Sequence, residues 1–212
     1  MNNQVSQYWL SYKEKVSKWF PEHYKLNPPA TEDEISHLET VLSYEIPEDM
    51  KTLYRINNGE SDEGLGIFYG LRFIPLNEVE QCWLGWKKII EDGIEDFNEF
   101  CTSNPEGVIQ PVYANEKWIP LMDDSGGCHI GIDLAPGFKG CVGQIINFGR
   151  DEDDKYVLAP NLAELLKLLD TKFEENLQIP CEQDDGIDIF LLNQGHLIDE
   201  LKEIVKRKQT NI

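Results

Sequence analysis

The sequence is poor in positive charge. Only 19 lysine and arginine residues stand against 39 aspartate and glutamate residues, which gives a net charge of −20. A chain of this charge repels nucleic-acid phosphates and anionic membranes, and it attracts basic proteins. Acidic residues also serve solubility alone, and that explanation stays open. The composition therefore argues against a nucleic-acid or membrane partner and favours a basic protein if there is a partner.

Signals for export and for disulfide bonding are also missing. The first residues, "MNNQVSQYWLSYKEK", do not form the basic and then apolar pattern of a secretory signal. No apolar run approaches the roughly 18–20 residues that a membrane-spanning helix needs. The five cysteines are odd in number, far apart and never in C-x-x-C spacing, which argues against a disulfide framework and a zinc ribbon. We therefore expect a cytoplasmic protein with reduced thiols.

Motifs that carry catalysis are absent as well. The sequence has no G-x-S-x-G nucleophile turn, and "GLGIFYG" has its third glycine one residue too late for a dinucleotide-binding loop. The four histidines are too scattered along the chain to nominate a nucleophile–base pair; they are His23, His37, His129 and His196. The sequence therefore predicts a protein that is not an enzyme, with no catalytic residues and no cofactor.

The first third of the chain has helical periodicity. Apolar residues in the segment 4–20 recur every three or four positions, from Val5 to Trp19, which predicts an amphipathic helix. Thr31-Glu32-Asp33-Glu34 has the pattern of a capping box at a helix start. Pro47 suits the first turn of a further short helix, which we expect to end at Asn57-Asn58-Gly59.

A change of period after Gly59 predicts a sheet. "GLGIFYGLRFIPL" alternates like a strand, and Asn77 can cap a helix that follows it. We expect helix end and loop over residues 91–107, a helix capped by Asn161, and a closing helix Leu197–Lys208. Further strands are predicted at Val108–Tyr113, Trp118–Met122, Cys128–Leu134, Val142–Phe148 and Tyr156–Leu158. Helices before and after neighbouring strands indicate an α+β fold, with residues 1–179 as the domain and 180–212 as an acidic segment and helix beside it.

The segment Asp123–Gly127, "DDSGG", allows two interpretations. Five polar and glycine residues between two apolar segments are typical of a hairpin turn. A metal site would instead use Asp123, Asp124, His129 and Asp133, but no calcium-loop or H-E-x-x-H spacing supports it. A phosphate site is disfavoured because two carboxylates would repel the anion. We predict a turn and no metal.

Several segments, in this order, resemble the SMI1/KNR4 (SUKH) superfamily, and in particular the branch related to fungal cell-wall assembly regulators. They are "LNPPATEDEISHLE", "IPEDMKTLYRINNGE", "GLRFIPLNEVEQCW", "WIPLMDDSGGCHIGIDLAPGFKGCVGQIINFG" and "VLAPNLAELLKLL". The resemblance implies a single curved mixed or antiparallel sheet flanked by helices. It covers roughly residues 5–175. The positions it shares with the family are Asn58, Gly59, Trp118, Pro120, Asp124, Gly126, Gly127, Asp133, Leu134, Gly143 and Gln144.

Two functions follow from the resemblance, and neither is catalytic. Bacterial members are mostly associated with immunity proteins that neutralise polymorphic toxins, often nucleases. We favour this function, because the acidic charge suits a basic nuclease. The alternative is a cytoplasmic regulator or scaffold of the cell-wall assembly type. Trp118, Asp124, Asp133 and Gln144 either shape the scaffold or line a binding cleft. These four are the candidate partner-binding residues, together with the acidic residues Asp151, Asp153 and Asp154.

Overall fold

The computed structural model describes residues 3–21, 24–176, 183–184, 187–188 and 195–210. Seven helices occur in this part of the chain: α1 (Asn3–Trp19), α2 (Glu32–Leu42), α3 (Glu48–Tyr54), α4 (Leu76–Asp92), α5 (Glu95–Asn98), α6 (Leu162–Asn176) and α7 (Leu197–Thr210). The strands are β1 (Arg72–Phe73), β2 (Thr102–Asn104), β3 (Trp118–Asp123), β4 (Cys128–Asp133), β5 (Gln144–Gly149), β6 (Asp154–Ala159), β7 (Gln183–Asp184) and β8 (Ile187–Asp188).

Six of the strands form one mixed sheet, in the order β1-β3-β4-β5-β6-β2. The neighbours are antiparallel except for β2, which lies parallel to β6 at one edge. β7 and β8 form a separate two-stranded pair. The predicted α+β class, with a mixed sheet flanked by helices, is confirmed.

One face of the sheet packs on the helices. The first helix buries Val5, Trp9, Tyr12 and Val16 completely, whereas Trp19 is 54% exposed although it continues the same periodicity. α1 lies against α3 and α6, and α6 lies against β5 and β6. Strand residues such as Ile119, Ile130 and Ile145 complete this main core.

The opposite face of the sheet has a smaller apolar cluster, formed by Ile109, Trp118, Ile146 and Phe148. In the described part of the chain, Trp86 of α4 and the segment around residues 108–112 pack over it. Gly131 in the middle of β4 allows this packing, since a Cβ there would lie 2.6 Å from Cε1 of Phe148. The face is therefore covered largely by loops, and the candidate site lies among them.

Capping residues in the sequence correctly predicted where two of the helices start. Thr31 caps α2 in a complete capping box with Glu34, and Asn161 accepts a hydrogen bond from the amide of Glu164 at the start of α6. α4 begins at Leu76 after Pro75, so the prediction of Asn77 as its cap was wrong. The acceptor comes from elsewhere in the chain: Asn58 Oδ1 accepts from the Leu76 amide at 2.9 Å.

Three other predictions of secondary structure were wrong. α3 ends at Tyr54, before the predicted stop at Gly59. The segment "GLGIFYGLRFIPL" contains only the two residues of β1, because Ile67, Phe68 and Tyr69 are buried consecutively rather than alternately. Val108–Tyr113 is not a strand, and the strand β2 lies instead in the predicted loop at Thr102–Asn104. The hairpin Asp123–Gly127 connects β3 to β4 as predicted.

Candidate partner-binding pocket

Three polar side chains lie side by side on the loop-covered face of the sheet. In the strand register, Trp118 of β3 is opposite Asp133 of β4, and Asp133 is opposite Gln144 of β5. All three side chains are buried, with at most 3% exposed. They belong to three adjacent strands but form one cluster, which we call the Asp133 cluster.

Hydrogen bonds satisfy the Asp133 carboxylate from three directions. Oδ1 accepts from Trp118 Nε1 at 3.0 Å and from the amide of Ala135 at 2.9 Å. Oδ2 accepts from Gln144 Nε2 at 2.8 Å. Burial raises the pKa of Asp133 above its ordinary value, although these hydrogen bonds oppose the rise.

The Asp133 cluster holds two loops together. Gln144 Nε2 also donates to the carbonyl of Val108 at 2.8 Å, and Gln144 Oε1 accepts from the amide of Cys141 at 3.1 Å. The two loops also bind each other directly, because the Gly137 amide donates to the Val108 carbonyl and the Lys139 amide to the Gly107 carbonyl. The segments 105–111 and 135–141 therefore form one framework above the sheet.

An open pocket of about 610 Å³ lies beside this framework. Its walls are β2 with the segment that follows it, and the turn Pro136–Phe138. The lining residues are Cys101, Thr102, Ser103, Glu106, Gly107, Ile109, Gln110, Pro111, Pro136, Gly137 and Phe138. The Phe138 ring lies against Gly107, where a Cβ would be 2.6 Å from Cε1 of Phe138. Phe138 is nevertheless 88% exposed, so the pocket is apolar and open to solvent.

Acidic residues border the pocket at its β2 side. Asp154 Oδ1 accepts a hydrogen bond from Thr102 Oγ1 at 2.6 Å, and the Asp153 carbonyl accepts from the Thr102 amide at 3.0 Å. Asp151, Asp153 and Asp154 are all exposed. Arg150 forms an ion pair with Asp151 at 2.9 Å, so the charge of that aspartate is partly compensated.

A buried lysine lies behind the pocket, and sequence reasoning missed it. Lys155 of β6 has no exposed surface. Its Nζ lies 6.0 Å from the centre of the Trp118 ring, 5.9 Å from that of Tyr113 and 3.9 Å from Cys101 Sγ. It also donates to the Glu152 carbonyl. Burial lowers the pKa of Lys155. In the sequence this residue directly follows the acidic run Asp151–Asp154, and nothing there indicates that it points inward.

The structure separates Asp124 from the other predicted cleft residues. Asp124 lies in the turn after β3, whereas Trp118 is at the start of that strand, six residues and roughly 20 Å away at about 3.3 Å per residue. Its Oδ1 accepts from the amides of Gly126 and Cys128 at 2.6 and 2.9 Å, as a turn residue does. Trp118, Asp133 and Gln144 are brought together beneath the pocket loops. Binding of a partner by any of these four residues stays a prediction.

Four segments of the sequence are rich in acidic residues, namely Glu60–Glu63, Glu91–Glu99, Asp151–Asp154 and Glu182–Asp188, but their residues are not all at the surface. Glu60 is fully buried, and its carboxylate binds backbone amides instead of facing solvent. The run Glu182–Asp188 lies, apart from the backbones of β7 and β8, outside the described residues. The runs Glu91–Glu99 and Asp151–Asp154 approach each other at Tyr113. The Tyr113 amide donates to Asn98 Oδ1 in the first run, and the Tyr113 hydroxyl donates to the carbonyl of Arg150, next to the second run.

His129 and Asp123, two of the residues considered as metal ligands, are neighbours. His129 Nδ1 lies 3.5 Å from Asp123 Oδ1, but within the described part of the chain no group of three or more His, Cys, Asp or Glu residues is placed to hold a metal ion. The cysteines that the structure describes are free thiols. None of the helices in the described ranges is both long and apolar enough to cross a membrane.

Helices around one face of a mixed sheet, with loops and an open pocket on the other, define an α+β domain. The model of the SMI1/KNR4 family (SUKH-1) matches residues 29–168. The chain therefore belongs to the SMI1/KNR4 family, and the resemblance seen in the sequence is confirmed.

Curated relatives in fungi match most of the chain. The cell wall assembly regulator SMI1 of Saccharomyces cerevisiae is 32% identical over 203 residues, covering 78% of this chain and 40% of the yeast protein. The cell wall biosynthesis/cell cycle regulator smi1 of Schizosaccharomyces pombe is 31% identical, covering 86% of this chain and 39% of that protein. The glucan synthesis regulatory protein of Neurospora crassa is 31% identical, covering 74% and 36%. This chain thus spans less than half the length of these relatives, which are named as regulators and not as enzymes.

Proposed function

We propose that this protein is a non-catalytic protein-binding module that acts in the cytoplasm as a regulator or scaffold of cell-wall assembly. One observation carries the proposal: relatives that match most of the chain are named as regulators of wall or glucan synthesis. The open apolar pocket supports it, because exposed apolar surface of this kind is typical of interaction sites. The cell-wall regulatory function, which was the alternative in the sequence analysis, is therefore better supported than the immunity function.

The sequence alone favoured the immunity function. The acidic surface is the only observation that still supports it. Asp153 and Asp154 beside the pocket fit a basic toxin domain, but they fit any basic partner equally well. Neutralisation of a toxin remains a prediction that co-expression with a candidate toxin domain can test.

A segment exchange in yeast tests the proposed regulatory function. The segment of the Saccharomyces cerevisiae regulator that aligns with this chain is replaced by this chain, in a strain without the native gene. The same regulator with the segment deleted sets the lower limit, and the intact regulator sets the upper limit. Growth on a wall-binding dye and the glucan content of the wall are measured.

We expect the exchanged protein to raise both measurements above the lower limit. Protein abundance is measured in parallel, so that a protein that fails to accumulate is recognised. A stable exchanged protein that behaves like the deletion would contradict the proposal, since the chain would then lack the regulatory activity of its relatives.

A further inference from the structure

The apolar surface at the pocket extends beyond the pocket. Phe138 forms one wall and is 88% exposed, Val142 follows on the same loop and is 71% exposed, and Phe100 precedes the lining residue Cys101 and is 69% exposed. A small molecule inside the pocket would leave Phe100 and Val142 in water. A polypeptide segment lying across the pocket can cover them, which is why extended apolar surface marks protein interfaces.

The charged residues at the pocket favour a segment of one net charge over the other. Glu106 lines the pocket, and Asp153 and Asp154 flank its β2 side. The nearby cations offset this charge only in part: Arg150 is paired with Asp151, Lys155 is fully buried, and Lys206, which interacts with Asp154, is paired with Glu203. Lys139 lies at the Phe138 wall, with its Nζ 5.1 Å from the centre of the Phe138 ring and 3.3 Å from the Glu106 carbonyl oxygen. A lysine or arginine on the segment would meet carboxylates at the β2 side, whereas an acidic segment would be repelled there.

The pocket is also held in shape before anything binds. The loops on its two sides are joined by backbone hydrogen bonds from Gly137 and Lys139. Gln144 of the Asp133 cluster supports both loops from below. A site whose walls are already ordered loses little conformational entropy on binding, so a short segment is sufficient to occupy it.

We propose that this pocket binds a basic segment of a partner protein, which inserts a large apolar or aromatic side chain against Phe138 and places a neighbouring lysine or arginine beside Asp153 and Asp154. The proposal rests on the proposed function, because it names the chemistry of the partner that the module takes. The pocket, at about 610 Å³, is large enough to hold more than one side chain of such a segment.

Selection from a library of short random peptides displayed on phage tests the proposal, with the whole chain as the bait. We expect the enriched peptides to combine a large apolar residue with a nearby lysine or arginine. Each enriched peptide is then synthesised, and its affinity is measured by fluorescence anisotropy for the wild type and the variants.

Phe138→Glu separates the apolar contact from the charge. This variant removes the exposed ring and adds a negative charge, so electrostatics alone would strengthen the binding of a basic peptide. We expect instead that affinity falls about tenfold or more, as for the loss of an aromatic anchor. Leu10→Glu is the matched control, since Leu10 is 47% exposed on α1, and its affinity should stay within about twofold of the wild type.

The double variant Asp153→Lys with Asp154→Lys tests the charge. We expect it to weaken the same peptides and to reduce the dependence of their affinity on salt. Asp62→Lys with Glu63→Lys reverses two exposed charges elsewhere and should have a much smaller effect. All variants are first checked for unchanged unfolding curves.

Two results would overturn the proposal: enriched peptides that are acidic, or equal affinity of every enriched peptide for the wild type and the Phe138→Glu variant. The yeast exchange separates this failure from that of the proposed function. An exchanged protein that works with and without the pocket substitutions keeps the regulatory function and refutes the pocket as its partner site. One that works only with the pocket intact supports both.

Discussion

Glu60 is wholly buried at the beginning of the segment that joins α3 to β1. Its carboxylate accepts hydrogen bonds from the amides of Gly66, Ile67 and Phe73 at 3.2, 3.0 and 2.8 Å. The Glu60 carboxylate thus satisfies backbone amides in a segment that has little regular secondary structure, where no neighbouring strand among the described residues does so. Burial outweighs the three donors and raises the pKa of Glu60 to about 7.

Glu60 makes stability depend on pH. Because its pKa is about 7 in the folded protein and about 4.5 when exposed, the folded state binds this proton more tightly and unfolding releases it. The stabilisation is fully present below pH ~4.5 and is lost as pH rises through ~7, by about 3 kcal/mol in total. We expect urea unfolding between pH 5 and 8 to show this fall in the wild type and a flatter curve in Glu60→Gln.

The comparison of pH curves needs a control that keeps Glu60. Glu63→Gln changes an exposed residue in the same segment, and its curve should run parallel to that of the wild type. Parallel curves for the wild type and Glu60→Gln would show that Glu60 is ionised in the folded protein throughout this range.

Asp133 supports the pocket by satisfying three donors. Asp133→Ala leaves Trp118 Nε1, Gln144 Nε2 and the Ala135 amide without this acceptor. We expect a loss of at least about 3 kcal/mol in the free energy of unfolding and faster hydrogen exchange at the amides of Gly137 and Lys139. Asp133→Asn keeps one acceptor oxygen and should lose less.

The exposed Asp151 provides the control for Asp133. Asp151→Ala should change stability by less than about 0.5 kcal/mol and leave the exchange of both amides as it is. Unchanged exchange at Gly137 and Lys139 in Asp133→Ala would refute the supporting role of the cluster.

At the scale of elements, the start of α2 depends on two side chains. Thr31 Oγ1 accepts from the Glu34 amide at 3.2 Å, and Glu34 Oε2 accepts from the Thr31 amide at 2.7 Å. The capping box satisfies two donors at the helix start. It lies beside the buried face formed by Ile35, Leu38 and Leu42.

Thr31→Ala should lower the free energy of unfolding by about 1 kcal/mol, as the loss of a capping oxygen does. Thr40→Ala in the same helix removes a hydroxyl that donates to the Ser36 carbonyl, and it should be neutral or slightly stabilising because alanine favours the helix interior. Urea unfolding of the two variants checks this. Equal effects of the two substitutions would show that the capping box contributes nothing measurable.

At the scale of the molecule, the net charge of −20 acts over a longer range than any contact. Exposed carboxylates at Asp151, Asp153 and Asp154 give the pocket side a negative field. Such a field accelerates the approach of a basic partner more than it strengthens the final complex.

Salt should therefore slow association. For a basic peptide selected on the pocket, raising the salt concentration from ~50 to ~500 mM should lower the association rate by about an order of magnitude. Reversing Asp151, Asp153 and Asp154 to lysine should reproduce the effect at low salt, with little loss of stability because the charges are exposed. Stopped-flow fluorescence measures the rates. An association rate that ignores both salt and the reversals would exclude steering and leave the apolar contact as the basis of binding.

The sequence by itself determined the elements whose signals are local. The capping box at Thr31, the cap at Asn161, the periodicity of α1 and the turn at Asp123–Gly127 each depend on residues within a few positions of one another. The ordered set of segments was also sufficient to indicate the family. In the site, Trp118, Asp133 and Gln144 were named from the sequence, but only as members of a cleft.

Tertiary structure decided whatever depends on contacts between distant residues. The start of α4 is capped by Asn58, eighteen positions away, and Glu60 organises a segment whose alternation looked like a strand. Lys155 points inward although Asp153 and Asp154, which precede it, are exposed. The pocket itself lies between segments some thirty residues apart, which are joined by Gln144, and Gln144 is in turn held by the buried carboxylate of Asp133. Long-range burial and hydrogen bonding leave no periodic trace in the sequence, because they depend on which elements meet and not on the order of residues within one element.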